Sequence, residues 1–256
     1  MNASVAAIQF APIFGDVAGN LDVIARRVRG AAGADLIVVP ELATTGYDLD
    51  RLATDGARLA ERADGPSTTR LSDLAAEAGA TLVVGFLETD EHGSLFDSVL
   101  ITSGARSVVY RKTHLYPPET AVFAAGEQLA ATTIAGGVAI APLICFVHAF
   151  PEIATTLALH GAEILVIPSA VPVGYEHVLV LRSRARAQDN QVFVVAANLA
   201  GGGFCGRSMI VDPRGEVLAE ADEHEATITA TIDLEAIERE RRREPALQLR
   251  RPDIYR

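Results

Sequence analysis

Short runs of apolar, often β-branched residues recur along this chain, and they restrict its fold more than any other feature. Residues 36–39 (LIVV) and 164–167 (ILVI) have the length and composition of buried strands. Segments with helical signals lie between such runs, and strands that alternate with helices are typical of α/β folds with parallel crossover units. The pattern therefore predicts an α/β fold, with antiparallel hairpins where consecutive strands are short.

This alternation predicts strands over residues 4–10, 36–39, 81–87, 95–102, 107–110, 138–146, 164–167, 192–197, 208–211, 217–220 and 226–232. It predicts helices over residues 21–31, 67–78, 150–160, 177–189 and 234–243. Asn20 precedes the first helix, and asparagine commonly caps a helix N-terminus. We expect these elements to form a single domain over residues 1–256, a length that one α/β domain can reach.

Composition and charge argue against several classes of protein. The formal net charge of −11 disfavours nonspecific binding to nucleic acid, which needs a basic surface. The chain lacks the roughly 18 consecutive apolar residues of a membrane span. Its first residues do not resemble a secretion signal, so a cytoplasmic location is expected. The six histidines show no clustered spacing of metal ligands, so neither a metal nor an organic cofactor is predicted.

Cys145 lies at the junction between an apolar run, residues 137–146, and a segment of helical character that opens at residue 150. A sharp turn from strand to helix holds a side chain outside the carboxyl edge of a sheet, where α/β proteins build their sites. A thiol at such a turn is a candidate nucleophile. The alternative is a buried cysteine that acts as a small apolar side chain. We expect Cys145 and Cys205 to be free thiols, and Cys205 to be dispensable for activity.

Two charged residues also follow strand-like runs. Glu41 comes directly after LIVVP, where partial burial would raise its pKa toward the range of a general base. Lys112 follows SVVYR and could stabilise an oxyanion. Each residue alone would more simply be a solvated surface charge. Together with Cys145 they supply the base, the cation and the nucleophile of a thiol hydrolase.

These residues and their surroundings resemble a known family. Glu41 within PELATTGYD, Lys112 within YRKTHLY and Cys145 within LICFVHAFPE are similar to the Glu-Lys-Cys triad of the nitrilase superfamily of carbon–nitrogen hydrolases. The resemblance covers nearly the whole chain. It includes the opening VAAIQFAPIFGDVAGNLDVI, the later RARAQDNQVFVVAAN and the segment GRSMIVDPRGEVL.

The resemblance implies an α-β-β-α sandwich of two mixed sheets with helices on the outer faces. It implies hydrolysis of a non-peptide carbon–nitrogen bond of a small amide or N-carbamoyl compound, through a thioester on Cys145. Three further residues would support the site: Glu119 in PPET orients the lysine and the substrate, the backbone N–H of Phe146 joins the oxyanion site, and Tyr47 helps to orient the substrate. A homodimer or higher homo-oligomer is expected, with the apolar tail over residues 245–256 at its interface.

The chain departs from the family at several positions. Many members carry an acidic residue two positions after the cysteine, where this chain has Val147, followed by His148. True nitrilases typically show Cys-Trp-Glu, whereas this chain contains no tryptophan, which favours an amidase over a nitrile hydrolase. Relatives often have tryptophan near Val171 and Val178, so a less aromatic pocket is expected here.

Three other functions stay open at this stage. A cysteine–histidine hydrolase could use His148 or His177 as its base. A non-catalytic member of the family could bind a carboxamide or a protein partner, which the valine at position 147 would explain. A nitrile hydrolase is the third alternative.

Overall fold

The computed structural model of the protein describes residues 1–254. The helices are α1 (Val17–Gly30), α2 (Leu49–Leu59), α3 (Pro66–Ala78), α4 (Pro151–Leu159), α5 (Glu176–Asn190) and α6 (Glu235–Arg243). The strands are β1 (Asn2–Gln9), β2 (Leu36–Val38), β3 (Thr81–Thr89), β4 (Leu95–Thr102), β5 (Ser107–Arg111), β6 (Thr132–Thr133), β7 (Ala139–Pro142), β8 (Ile164–Ser169), β9 (Phe193–Asn198), β10 (Ala200–Gly201), β11 (Phe204–Cys205), β12 (Met209–Val211), β13 (Val217–Glu220) and β14 (Ala226–Asp233). Short 3₁₀ turns cover Pro117–Ala121 and Cys145–Ala149.

Two six-stranded mixed sheets form the centre of the fold. The first has the order β14-β1-β2-β3-β4-β5, and the second has the order β13-β12-β9-β8-β7-β6. Each contains three adjacent parallel strands, β1 to β3 in one and β7 to β9 in the other, with antiparallel strands on both sides. The carboxyl ends of these parallel strands are the edges at which functional side chains are expected to meet.

Alternate residues of the strands serve two different cores. Val5 and Ala7 of β1 belong to the inner core between the sheets, whereas Ala6 and Ile8 face α1 and α3. The outer face of the second sheet packs against α4 and α5 in the same way. Because both faces of each sheet are covered, the central strands are apolar throughout rather than alternating in polarity. The α-β-β-α sandwich expected from the sequence is confirmed.

The start of α1 differs from the prediction. The helix begins at Val17 and is capped by Asp16, whose carboxylate accepts the N–H of Gly19 at 3.0 Å. Asn20 is therefore not a cap. It lies inside the helix and is buried, and its amide group donates to the carbonyls of Ile13 at 2.8 Å and Thr44 at 3.0 Å. It ties the loop before α1 to the loop that carries Glu41.

Two further elements depart from the sequence prediction. Helix α2 was not expected, and it packs against Leu42, Leu87 and Phe123 in a small separate core. The strand predicted over 138–146 is shorter, because β7 ends at Pro142 and the chain then enters the 3₁₀ turn that starts at Cys145. The left-handed backbone at Cys145, with φ 43°, cannot continue a strand.

The C-terminal tail, as far as residue 254, is only partly packed against the rest of the chain. Leu247 contacts the outer core of the second sheet, and Gln191 Nε2 donates to the carbonyl of Glu244 at 2.6 Å. Leu249 and Ile254 are 72% and 62% exposed. The remaining tail residues, 255 and 256, which include the predicted interface residue Tyr255, lie outside the described residues.

None of the helices in residues 1–254 combines the length and the apolar composition needed to cross a bilayer.

Candidate active site

Glu41 is held by a close approach between two backbones. It follows β2, and its loop presses on β3 at Gly85, where an added Cβ would lie only 2.6 Å from the Cα of Glu41 and 2.5 Å from the nitrogen of Leu42. Leu42 has a φ of 44°, a left-handed conformation that leucine rarely adopts. This strained turn directs the chain away from the strand and leaves Glu41 fully buried.

Lys112 lies at the centre of three carboxylates. It follows β5, and its Nζ donates to Glu41 Oε1 at 2.5 Å, Glu119 Oε1 at 2.7 Å and Asp97 Oδ2 at 3.1 Å. The backbone of Lys112 is also fixed, because its N–H donates to the carbonyl of Asp97 at 2.8 Å. All four side chains are buried. Lys112 is therefore a positioned cation and not a surface lysine.

Asp97 is a residue of this cluster that the sequence analysis missed. It lies in β4, and its oxygen Oδ1 is buried without a hydrogen-bond partner. The available signal was an acidic residue in the middle of a strand whose other residues are almost all apolar. Such a residue needs a partner when it is buried.

Glu119 connects the lysine to the cavity wall. It lies in the 3₁₀ turn after β5, where Oε1 accepts the hydroxyl of Tyr47 at 2.6 Å as well as the lysine. Its other oxygen accepts the N–H of Tyr116 at 2.7 Å. Both oxygens are occupied, so Glu119 is suited to hold Lys112 and Tyr47 in place and has no oxygen left without a partner.

The buried charges perturb one another strongly. Burial raises the pKa of Glu41 well above its usual range, although the charge of Lys112 opposes this, and Asp97 raises the pKa further. Burial also disfavours the ammonium of Lys112, but Glu41 and Asp97 outweigh it and hold the pKa of the lysine above its ordinary value. Glu41 Oε2 is buried without a partner. The site thus contains a carboxyl group that can hold a proton beside a permanent cation.

Cys145 begins the 3₁₀ turn after β7 with the strained φ noted above. Burial and the negative charge of Glu41 raise the pKa of its thiol, whereas the charge of Lys112 and a hydrogen bond from the backbone of Ala170 favour the thiolate. Phe146 is the next residue of the turn, and the first N–H groups of a helical turn have no acceptor within it. The thiol thus lies within the electrostatic influence of both Glu41 and Lys112, at the start of a turn whose first N–H groups are directed out of it.

The histidines considered as alternative bases are placed differently. The Nδ1 atom of His148 contacts the backbone carbonyl of Cys145, and its Nε2 atom is buried without a partner. Burial lowers the pKa of His148 to about 4, so this side chain is neutral near pH 7. His177 lines a different cavity, together with Cys205. Val147 is fully buried in the outer core of the second sheet and is not part of the cavity wall.

A cavity of about 340 Å³ opens at Cys145. Val171 and Val178 line it at the two positions where relatives often carry tryptophan. Aromatic side chains from other positions line the same cavity: Tyr47, Tyr116, Phe146, Tyr175 and Phe204. Phe146 also packs edge-on against Tyr116, with ring centroids 5.5 Å apart. These rings form an apolar chamber of the size that a small molecule needs.

The three acids around Lys112 could be mistaken for a metal site. Within residues 1–254, Glu41, Asp97 and Glu119 have ligand atoms within 4.8 Å of one another. The ammonium group of Lys112 bonds to all three, so the position of a cation among them is already filled.

Comparisons with known proteins show the family to which the chain belongs. The carbon-nitrogen hydrolase family model matches residues 4–242. The "hydrolase in pqqF 5′ region" of Pseudomonas protegens is 37% identical over 247 residues, covering 94% of this chain and 86% of that protein. An (R)-stereoselective amidase of a Pseudomonas species is 34% identical over 244 residues, covering 92% of this chain and 86% of the relative.

A solved structure extends the likeness to the fold. The crystal structure of Saccharomyces cerevisiae Nit3, a member of branch 10 of the nitrilase superfamily, superimposes with a TM-score of 0.89 at 28% identity and covers 99% of this chain and 97% of that one. The match of the family model over most of the chain, together with relatives above 30% identity, shows the family. The chain belongs to the carbon–nitrogen hydrolase family and is an amidase-like enzyme of the nitrilase superfamily.

Proposed function

We propose that this enzyme hydrolyses a small amide, or a related N-carbamoyl compound, through a thioester on Cys145. The observation that carries the proposal is the buried group in which Lys112 is fixed by three acids while Glu41 Oε2 is left unpaired. The charges of Glu41 and Lys112 both act on the Cys145 thiol. Cys145 lines the chamber, and Glu41 and Lys112 are buried residues whose charges act on it, so a base, an oxyanion partner and a nucleophile are available together.

The first half of the reaction forms the thioester. Glu41 takes the thiol proton, and the sulfur of Cys145 attacks the carbonyl carbon of the amide. The carbonyl π electrons move to oxygen, and Lys112 Nζ together with the N–H of Phe146 stabilises that oxyanion. Each such contact can be worth about 2.7 to 4 kcal/mol in a site that excludes water. When the oxyanion collapses, the carbon–nitrogen bond breaks, and Glu41 gives its proton to the departing ammonia or amine.

The second half returns the enzyme to its starting state. Glu41 removes a proton from water, the hydroxide attacks the thioester carbon, and the carbon–sulfur bond breaks. The sulfur leaves as a thiolate and recovers the proton from Glu41. The sum is one amide and one water converted to one acid and one ammonia, with no redox step. Glu41 acts alternately as base and acid, which a raised pKa favours.

Two features favour an amide over a nitrile. The chain lacks the tryptophan that typically follows the cysteine of true nitrilases and carries Phe146 there. One relative is named as a stereoselective amidase.

Intact-mass analysis of Cys145 and Cys205 variants tests the proposal. Wild-type enzyme mixed with a panel of aliphatic amides, ω-amides and N-carbamoyl compounds should release ammonia and show an acyl adduct after rapid acid quenching. Cys145→Ala should lose both signals while remaining folded, because the change leaves only a small void. Cys205→Ser is the matched control and should keep both.

A folded wild-type protein that forms no adduct with any member of the panel would contradict the proposal. That result would favour the alternative of a non-catalytic member that binds a carboxamide. Activity retained in Cys145→Ala at more than a few per cent of the wild-type rate would instead show that another residue is the nucleophile.

We also propose that the enzyme is a homodimer that buries α4, α5 and the C-terminal tail. Leu159 and Leu181 on these helices are 49% and 67% exposed, and Leu249 in the tail is more exposed still. Light scattering should give a dimer for the full chain and a weaker dimer for a chain truncated after Glu244. A monomeric full-length protein would contradict this proposal. The cytoplasmic location stays a prediction from the sequence.

A further inference from the structure

His148 is a buried polar side chain in the wall of the chamber that holds Cys145, and the reaction steps above give it no role. It lies in the same 3₁₀ turn as Cys145. Its Nδ1 atom contacts the carbonyl oxygen of Cys145. Because a carbonyl oxygen can only accept a hydrogen bond, Nδ1 carries the hydrogen and donates it, and Nε2 of the neutral ring is left as an acceptor.

The carbonyl of Cys145 and the N–H of Phe146 belong to one peptide group. A peptide group is planar, and in the trans form its C=O and N–H bonds point in opposite directions. No peptide bond within residues 1–254 is cis. A contact that fixes the direction of the Cys145 carbonyl therefore also fixes the direction of the Phe146 N–H, which is the proposed second donor to the oxyanion.

The N–H of Phe146 is available for this task. The N–H of the following residue, Val147, donates to the carbonyl of Ile144 at 3.0 Å. In the part of the chain that the structure describes, the N–H of Phe146 has no such acceptor. Cys145 and Phe146 both line the chamber. Whether this N–H meets a substrate oxygen therefore depends on the orientation of its peptide plane.

Helix α5 holds the turn from its other side. Arg186, itself buried, donates from Nε to the carbonyl of His148 at 3.0 Å and from Nη2 to the carbonyl of Ala149 at 3.5 Å. These bonds fix the end of the turn but do not reach the peptide group between Cys145 and Phe146. Cys145 has the left-handed φ of 43°, which residues other than glycine rarely adopt without support from their surroundings. The Nδ1 contact of His148 supplies this support.

We propose that His148 is a positioning residue that holds the Cys145–Phe146 peptide group in the orientation in which the Phe146 N–H stabilises the oxyanion. This inference rests on the proposed amidase function. A preorganised donor contributes when its hydrogen points at the position that the oxygen occupies in the transition state. Loss of the Nδ1 contact should therefore slow formation of the tetrahedral intermediate and leave binding of the amide almost unchanged.

Substitutions at His148 separate the Nδ1 donor from the rest of the ring. His148→Leu has a similar size but no N–H, and it should lower kcat by about tenfold to a hundredfold with KM within about threefold of wild type. His148→Asn should keep kcat within about threefold, because its Nδ2 is attached at the same distance from Cβ as Nδ1 of histidine. Leu157→Val, in the outer core beside α4, is the control for destabilisation. It should lower the urea midpoint and leave kcat unchanged.

A reagent without a carbonyl group tests the nucleophile separately. Methyl methanethiosulfonate reacts with a thiolate at sulfur: a disulfide bond forms, the bond to the sulfonyl group breaks, and methanesulfinate leaves. No oxyanion develops on carbon in this reaction. The rate at which Cys145 is modified, followed by intact mass in a Cys205→Ser background, should stay within about threefold of the wild-type value in His148→Leu.

The outcomes separate this inference from the proposed function. A wild-type kcat in His148→Leu would overturn the inference. Equal losses of kcat in His148→Leu and His148→Asn would assign the effect to the ring as a whole, as a histidine base requires, and would also overturn it. So would a modification rate of Cys145 that falls as far as turnover, since His148 would then act on the thiol. If Cys145 of the wild-type protein is modified but no amide of the panel is hydrolysed, the proposed function fails and this inference fails with it.

Discussion

The β-hairpin formed by β4 and β5 carries two charged clusters, in each of which one cation is paired with one or more carboxylates. The inner cluster and the outer cluster lie on opposite faces of the hairpin. Adjacent residues supply them: Lys112 and Asp97 on the inner face, and Arg111 and Ser98 on the outer face. Neighbouring residues of a strand point to opposite faces, so one short stretch of sequence serves both. The two clusters have similar components but differ in how completely their hydrogen bonds are satisfied.

In the outer cluster, both carboxylate oxygens of Glu88 have hydrogen-bond partners. Arg111 donates from Nε and Nη2 to the two oxygens of Glu88 at 3.0 and 2.6 Å, and Ser98 donates to the same carboxylate at 2.6 Å. The guanidinium also stacks 3.7 Å from the ring centroid of Phe96. A bidentate pair of this kind fixes the positions of both side chains and serves the structure. The Arg111 side chain is partly exposed to solvent, whereas Glu88 is buried.

In the inner cluster, some carboxylate oxygens have no hydrogen-bond partner. Three acids share a single ammonium group, and two of their oxygens, on Glu41 and Asp97, are buried without partners. An unsatisfied buried acceptor costs about 1 to 3 kcal/mol, and such atoms also occur elsewhere in the fold, for example Thr81 Oγ1 and Asn190 Oδ1. The inner cluster differs from these because its open acceptors lie beside a fixed ammonium group and beside Glu119, which lines the chamber that holds Cys145.

The largest expected effect comes from exchanging one carboxylate in each cluster. Glu41→Gln should lower kcat by about 10³, because a general base contributes about 10² to 10⁴. Glu88→Gln should keep kcat within threefold. The comparison fails if both variants lose activity to the same extent. If Glu41→Gln kept the wild-type pH profile, the histidine-base alternative would be correct.

The same two variants should move stability in opposite directions. The pKa of Glu41 is raised in the folded protein, so its contribution to stability is present below its ordinary pKa near 4.5 and is lost as the pH rises. Glu41→Gln should therefore unfold at an equal or higher urea concentration than wild type at pH 7. Glu88→Gln should unfold at a lower one, by about 1 to 3 kcal/mol in the free energy of unfolding.

The adjacent cations give the second largest contrast. Lys112→Met should reduce kcat by 10² or more, since one oxyanion contact has that value. Arg111→Met should leave kcat within threefold and should mainly lower the urea midpoint. Steady-state kinetics and urea unfolding on both variants check the pair. A kcat of Lys112→Met within threefold of wild type would make the inner cluster structural as well.

Much of the site could be predicted from the sequence because it depends on which residues directly follow short apolar runs. Glu41 and Lys112 each follow an apolar run, and Cys145 interrupts one, so each position at a strand end was visible. The alternation of short apolar runs with helical segments also predicted most strands. These runs are easy to recognise because the strands are buried on both faces and are therefore apolar throughout. The pairing of Glu119 with the lysine came from family resemblance and not from the residues themselves.

What the sequence did not reveal depends on contacts between distant segments. Asp97 acquires its role only when β4 pairs with β5 and brings it to Lys112. Asn20 fits the pattern of a helix cap, but contacts with the loops at Ile13 and Thr44 decide its position. The aromatic chamber wall likewise combines residues from separate loops, so no short motif could predict it.

His148 is a buried ionisable side chain outside both clusters, and its protonation gives a further prediction. Its pKa is lowered to about 4 in the folded protein, so stability is complete above its ordinary pKa near 6.5 and falls as the pH decreases toward 4. Between pH 7 and pH 5 this residue should account for about 2 kcal/mol of lost unfolding free energy. His148→Asn should flatten that part of the urea-unfolding profile. An unchanged slope would show that His148 is not held neutral by the fold.

The smallest expected effect distinguishes two neighbours in β4: Asp97, which accepts a hydrogen bond from Lys112, and Ser98, which donates one to Glu88. Asp97→Asn keeps an oxygen near Lys112 but removes one of its three negative partners, so the ammonium is less firmly fixed, and kcat should fall about tenfold. Ser98→Ala removes one hydrogen bond from Glu88 and should leave kcat unchanged. Because Asp97 acts on the substrate only through Lys112, Asp97→Asn should have little further effect in the Lys112→Met background. Additive losses in the double variant would show that Asp97 has a separate role, and the inner cluster would then not act as a unit.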